Sequence, residues 1–301
     1  MIRRRKEEGG RREEDLLAAS GRPGVSLHCS CLILVLLLAL PASAVAQAFD
    51  HEHRAWTALL KQHVVLLDGG KASRVRYADF QNDRAALKAY TESLSRITDG
   101  EFKVWSREQR LAFLINAYNA HMIELILTRY PKIESVWDFG KLVNNPFKQR
   151  FFTLFGRPCT LDTIEHDLIR ARGAYDDPRI HMAVNCASLG CPMLREEAYM
   201  AERLDRQLEE QVVRFLSDRT RNRYDPAANA LEVSEIFRWY ASDFTSGLRG
   251  IRSREQFFAK YASTLADVPA HQQAIRDEKA EIRFLVYDWK LNDARPVNSK
   301  Q

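Results

Sequence analysis

The segment LAFLINAYNAHMIELIL, residues 111–127, constrains the fold more than any other part of the chain. Its apolar residues run nearly all round a helix instead of keeping to one stripe. Such a helix has to be enclosed by other elements, so it is predicted to be central and buried. Ser106, with Gln109 three positions on, makes a capping-box pattern. The helix is predicted to open there and to run to about Thr128, with Pro131 marking its end. Asn116 and Asn119 stand inside it among Phe113, Leu114, Ile115 and Tyr118. Asparagine is a poor helix former, and a buried amide without a partner costs free energy. Both side chains therefore need partners. They either hold a loop by its backbone or orient a catalytic side chain or substrate. His121 reads as a core or edge histidine.

Other segments read as helices broken by short strands. Residues 50–66 have helical spacing in Trp56, Leu59, Leu60 and Val64, and Gly69 and Gly70 stop it. RVRY (74–77) reads as a short strand, and Leu87, Tyr90, Leu94 and Ile97 place a helix over 80–97. RFFTLFGRPCT (150–160) reads as a hairpin around Gly156 and Arg157. A helix is predicted over Leu161–Arg170 with Thr160 as its cap, a long amphipathic one over 196–217, and another over 253–263. Residues 222–235 are read as turn and short strand, and EIRFLVYDWKLN as a final strand. Nothing repeats. The predicted class is α+β, a mostly helical single domain with a small antiparallel sheet around the central helix.

Residues 1–48 are set apart from this domain, which spans 49–301. Arg3, Arg4, Arg5, Lys6, Arg11, Arg12 and Arg22 precede the apolar run CLILVLLLAL and then PASAVAQA. That is the order of a signal peptide, with Ala46 and Ala48 at the spacing of a cut after Ala48. Its charged n-region is long for such a signal. An uncleaved anchor is the alternative, although the apolar run falls short of the ~20 residues a span needs. The chain is expected to be exported, to the periplasm or the extracellular space. No later segment is apolar enough to span a membrane. The whole chain carries 45 basic and 40 acidic residues, and removing residues 1–48 leaves 38 against 35. With no basic tract and no zinc-finger spacing, nucleic acid is not an expected partner. Export implies an oxidising compartment. Three cysteines remain, Cys159, Cys186 and Cys191. At least one is then free or pairs with another chain.

Polar residues in apolar surroundings concentrate in two further places. In Ile164–Glu165–His166, Ile164 and Leu168 point inward while Glu165 and His166 fall beside that face. A partly buried histidine there can serve as a base or simply fill the core. The densest cluster is HMAVNCASLGCP, residues 181–192, with His181, Asn185, Cys186 and Cys191. His181 and Asn185 share a face whether the segment is helical or extended, and Cys186 lies off it. His181 is thus an awkward base for Cys186, and His166 serves better. Pro192 biases Cys191 away from the helical region and Gly190 eases a turn, so 187–193 reads as a fixed loop.

Several segments, in this order, resemble the DUF547 family, a domain of unknown function. They are AFLINAYNAHMIELIL (112–127), TLDTIEHDLIR (160–170), DPRIHMAVNCASLGCPML (177–194) and VYDWKLND (286–293), with the core of the resemblance over about 105–220. The matching positions are Asn116, Tyr118, Asn119, Glu165, His166, His181, Asn185, Cys186, Cys191 and Pro192. Members resembling this chain include exported bacterial proteins and plant proteins with added coiled-coil segments. The resemblance implies one site in place of scattered features, and it implies no activity and no cofactor.

Three functions are open at this point. The first is a cysteine-dependent hydrolase or acyl-transferase acting on an amide or thioester, with an envelope peptide or small molecule as substrate. Cys186 would be the nucleophile and His166 the base. Glu165, Asn116 or Asn119 would orient the imidazole, and His181 and Asn185 would shape the pocket or contact an oxyanion. The second is a noncatalytic envelope binding or interaction module. The third is a thiol/disulfide or metal site built from Cys186, Cys191 and the nearby histidines.

Overall fold

The computed structural model describes residues 48–294. The predicted signal peptide, but for Ala48, lies outside the described residues. The architecture is α+β and mostly helical. Helix α1 (Arg54–His63) leads into strand β1 (Val64–Leu67), which pairs antiparallel with β2 (Ala72–Val75). Helices α2 (Tyr77–Asn82), α3 (Arg84–Ser95) and α4 (Asp99–Val104) follow, and then α5 (Arg107–Leu127).

α5 opens where its sequence predicts. The Ser106 side chain accepts from the Gln109 amide, and the Gln109 side chain accepts from the Ser106 amide. From Leu111 to Leu127 every residue is buried except Glu124, whose carboxylate pairs with Arg84 at 2.7 Å. Around α5 packs a core that includes Trp56, Phe80, Phe113, Ile164, Ile180 and Leu194.

Beyond α5 come the antiparallel hairpin β3 (Phe152–Leu154) and β4 (Arg157–Cys159) and a π-helical stretch over Thr163–Ile169. The Thr160 hydroxyl accepts from the Thr163 amide there. A 3-10 turn over Pro178–Met182 precedes the cysteine loop. Then follow α6 (Leu204–Ser217), β5 (Arg223–Asp225), β6 (Ala230–Ser234) and α7 (Ile236–Trp239). The chain continues with α8 (Arg254–Lys260), α9 (Ala262–Leu265), α10 (Pro269–Arg276) and β7 (Glu281–Leu285). These build a second core around Phe215, Phe237, Phe244, Phe257 and Phe258. The turn over 178–182 joins the two cores, since Ile180 belongs to the first and Met182 to the second.

Several boundaries differ from the sequence reading. The helix expected over 50–66 stops at His63, because Val64–Leu67 find strand partners in β2. The helix expected over 80–97 is broken at Asp83, whose carboxylate accepts from Gln62 and bonds His63. Residues 196–200 are not helical; α6 starts only at Leu204, after a 3-10 turn. The helix expected over 253–263 is divided between α8 and α9.

The sheet also departs from expectation in two ways. Among the described residues there are three small sheets, not one, and β7 joins β6 in parallel register, although β5–β6 is antiparallel. Only the first part of EIRFLVYDWKLN is β7; the remainder leaves the sheet as an extended strap that bridges to Ser135 and Ser188. Among the described residues, no helix is long and apolar enough to cross a membrane.

Candidate active site

Side-chain amides shape the loop that carries Cys186. From α5, Asn119 Nδ2 donates to the Ala183 carbonyl at 2.9 Å, and its Oδ1 accepts from the Asn185 amide at 2.8 Å. From α6, Gln211 Nε2 donates to the carbonyls of Met182 (3.2 Å) and Met193 (3.1 Å). Within the loop, Asn185 Nδ2 donates to the Pro192 carbonyl, while its Oδ1 accepts from the Ala187 amide and from Asn292 Nδ2. The C-terminal strap adds bonds from the amides of Leu189 and Gly190 to the carbonyls of Lys290 and Asp288. These contacts hold Ala187 in the left-handed region at φ 62°, a conformation that costs a non-glycine residue ~1–2 kcal/mol.

Asn116 does the same for a different segment, donating to the Tyr199 carbonyl and accepting from the Tyr199 amide. Neither Asn116 nor Asn119 bonds an imidazole, and the amide of Asn185 is used up inside its own loop. Gln211 goes unnoticed in the sequence because its helix reads only as amphipathic, with its polar residues assigned to solvent. The available signal was the pairing of Gln207 and Gln211 with Leu204, Leu208, Val212 and Phe215 on one helical stripe. It has the same logic as the asparagines of α5.

Cys186 Sγ lies 3.0 Å from Ser188 Oγ and 3.2 Å from the Tyr287 hydroxyl, while the Cys186 amide donates to Cys191 Sγ at 3.0 Å. A hydrogen bond from the Cys191 thiol, opposed by burial and helped by the Ser188 and Tyr287 hydroxyls, brings the Cys186 thiol down to about 7. Burial pushes Cys191 well above the ordinary thiol range. Cys159, Cys186 and Cys191 are all free thiols. Among the described residues, no three His, Cys, Asp or Glu side chains are gathered to hold a metal ion.

Neither histidine bonds the thiol. His166 Nδ1 lies 2.6 Å from Arg170 Nη1, and a guanidinium can only donate, so Nδ1 is the acceptor and its lone pair is taken. His181 is 3% exposed, stacks on Tyr240 at 3.9 Å, and reaches Asp243 Oδ2 through Nε2 at 2.8 Å. Burial keeps its pKa below the usual histidine range despite Asp243, so the ring is neutral and Nε2 carries the proton. Its Nδ1 is left as a buried acceptor without a partner. Against burial, hydrogen bonds from His181 and Arg170 hold the Asp243 carboxyl well below the usual range. Glu165 accepts from the Tyr240 hydroxyl at 2.6 Å. His121 is a core histidine, stacked on Phe152 and lowered to about 3 by burial.

Cys186, Glu165, His166 and His181 share a cleft of about 220 Å³ with Tyr118, Tyr240, Tyr287 and three tryptophans. A larger cleft of about 350 Å³ also touches Cys191 and Tyr287, but neither Cys186 nor any histidine lines it. The order of these residues along the chain now has its spatial counterpart. Residues 102–216 match the DUF547 family model, described as a protein of unknown function. No curated protein and no solved structure matches the chain. The DUF547 segment supplies the thiol, both histidines, Glu165 and the amides that clamp the loop. The remaining lining lies outside it, in Ile236, Trp239, Tyr240, Tyr287 and Trp289, with Asp243 behind His181. Tyr287 and Trp289 sit in VYDWKLND, which resembles the family but lies outside the matched residues, whereas Asp243 and Tyr240 had no sequence signal.

Gly190 owes its identity to this site. A Cβ there would lie 2.9 Å from the Cγ, Cδ1 and Cδ2 atoms of Tyr287. Gly190→Ala is expected to push the ring away and weaken the Tyr287–Cys186 bond. The expected loss is about 1–3 kcal/mol in denaturant unfolding, the usual cost of overpacking, with Cys186 titrating higher than in the parent.

Proposed function

We propose that the protein is a cysteine-dependent hydrolase or acyl-transferase that works after export, on an amide or thioester of the cell envelope. The observation that carries this reading is a partly exposed thiol, held by two hydroxyls, in one cleft with a His181–Asp243 pair whose second nitrogen is free. The thiol has its own donors and titrates near neutrality, so no strong base is needed to form the thiolate. His181, in place of His166, then handles the leaving group. Cys186 Sγ bonds to the carbonyl carbon, and the C–N or C–S bond breaks. The proton that leaves the Cys186 thiol is held at His181 Nδ1 and passes from there to the departing group. Water or an acceptor next attacks the thioester, gives its proton back to His181 Nδ1, and releases the acyl group.

Turnover of a panel of activated ester, thioester and anilide donors tests the reading, with intact-mass detection of an acyl group on the Cys186 peptide. Cys186→Ala is expected to abolish turnover. His181→Ala is expected to slow it roughly 10²-fold or more, the scale of general acid–base catalysis. Equal turnover in Cys186→Ala, or in His181→Ala, overturns the reading. So does a Cys186 that alkylates but accepts no acyl group from any donor; that outcome favours a noncatalytic binding module.

A further inference from the structure

The cleft over Cys186 is both acidic and aromatic. Asp162 and Glu165 line it, and no lysine or arginine does. Glu165 is 6% exposed, yet among the described residues it forms no ion pair; its one side-chain partner is the Tyr240 hydroxyl, at Oε1. A carboxylate removed this far from water is normally matched by a cation. The nearest guanidinium, Arg170, is committed elsewhere. It binds both oxygens of Asp243 at 2.7 and 3.0 Å, donates to His166 and lies over the Tyr240 ring. His181 is neutral in this arrangement, so Arg170 is the one guanidinium that Asp243 and Glu165 share.

The other wall consists of indoles. Trp289 stacks with Trp239 at 5.5 Å and meets Trp137 edge-on at 5.0 Å, with Tyr287 4.5 Å away. Trp239 is 43% exposed. Protein cations cover six aromatic rings among the described residues, and none of these is Trp137, Trp239, Trp289 or Tyr287. Indole is the ring with the strongest attraction for a cation. A carboxylate without an ion pair and indoles without a protein cation, lining one cleft, offer a seat for a positive charge.

We propose that this cleft selects substrates bearing an alkylammonium or guanidinium group, seated between Glu165 and the Trp239–Trp289 wall beside the reacting carbonyl. The position of the carbonyl rests on the thiolate reading above; the cation seat does not. In envelope terms this describes an amide or thioester next to an amino or guanidino side chain, not a fatty acyl chain.

The test titrates the full chain with tetramethylammonium and n-butylammonium, following tryptophan fluorescence, alongside the neutral isosteres 2,2-dimethylpropanol and n-butanol. The ammonium ions are expected to bind saturably and about tenfold more tightly than the alcohols, within the range of desolvated cation–π contacts. Glu165→Gln keeps an oxygen for the Tyr240 hydroxyl but removes the charge. It is expected to weaken ammonium binding about tenfold and to leave alcohol binding unchanged. Trp239→Leu is expected to weaken the ammonium ions as well. Cys186→Ala is expected to bind them as the parent does, so failure of the thiolate chemistry and failure of the cation seat are read separately. Alcohols that bind as tightly as ammonium ions would show an apolar acyl pocket and overturn the proposal. Absence of saturable ammonium binding, or unchanged binding in Glu165→Gln, overturns it too.

Discussion

Cys186 is expected to alkylate with a midpoint near pH 7, while Cys159 and Cys191 stay silent until the protein unfolds. The Cys191 thiol and the hydroxyls of Ser188 and Tyr287 bring the Cys186 thiol down to about 7 against its burial. The other two sulfurs are 4% and 5% exposed, and burial raises both. A donor bonded to sulfur favours the thiolate, so removing one moves the midpoint up toward the ordinary ~8.5. Cys191→Ala should move it furthest, with Tyr287→Phe and Ser188→Ala following. The midpoint is the right observable because the rate changes little. At pH 7 the thiolate fraction rises from about 3% to about half, but a less basic thiolate is a weaker nucleophile, which leaves only about a threefold gain. Mass-resolved labelling by iodoacetamide between pH 5 and 10 checks this. A Cys186 midpoint unmoved in all three variants would show that these contacts do not tune the sulfur.

Asn119→Ala is expected to be the most destabilising single truncation of the site, at about 3–5 kcal/mol. The side chain is 3% exposed and satisfies two backbone groups, the Ala183 carbonyl and the Asn185 amide. Each orphaned group costs ~1–3 kcal/mol, and the vacated volume adds to this. A domain with a total stability of ~5–15 kcal/mol feels such a loss strongly. Urea unfolding of parent and variant measures it. Asn119→Asp should not rescue the protein, because a carboxylate can accept from Asn185 but would face the Ala183 carbonyl without a proton to donate. Asn116→Ala, which frees only the backbone of Tyr199, serves as the contrast. It should lose comparable stability while Cys186 still titrates near pH 7. A loss below about 1 kcal/mol in Asn119→Ala would mean that the loop keeps its shape without the clamp.

What could be read from the chain alone was what depends on near neighbours. The capping box at Ser106 and Gln109, the burial of α5, the hairpin at Gly156 and the Thr160 cap are contacts within a few residues. Their physics is complete in a short window of sequence. The need of Asn116 and Asn119 for buried partners was equally legible, since an amide amid leucines and phenylalanines has to be satisfied.

The identity of the partners was not legible. Tertiary structure decided that Asn119 grips the backbone at 183–185 and that Gln211 grips it from the other side. It also decided that β7 runs parallel to β6 and that residues 196–200 are not helical, because these outcomes depend on bonds between segments far apart in the chain. The same holds for the histidines. Local register made His181 look misplaced and His166 well placed. Arg170 then occupies Nδ1 of His166, and Asp243, 62 residues beyond His181, fixes the proton on Nε2 and leaves Nδ1 free. A side chain's protonation and orientation are set by whatever the fold brings against it, and no spacing in the sequence encodes that.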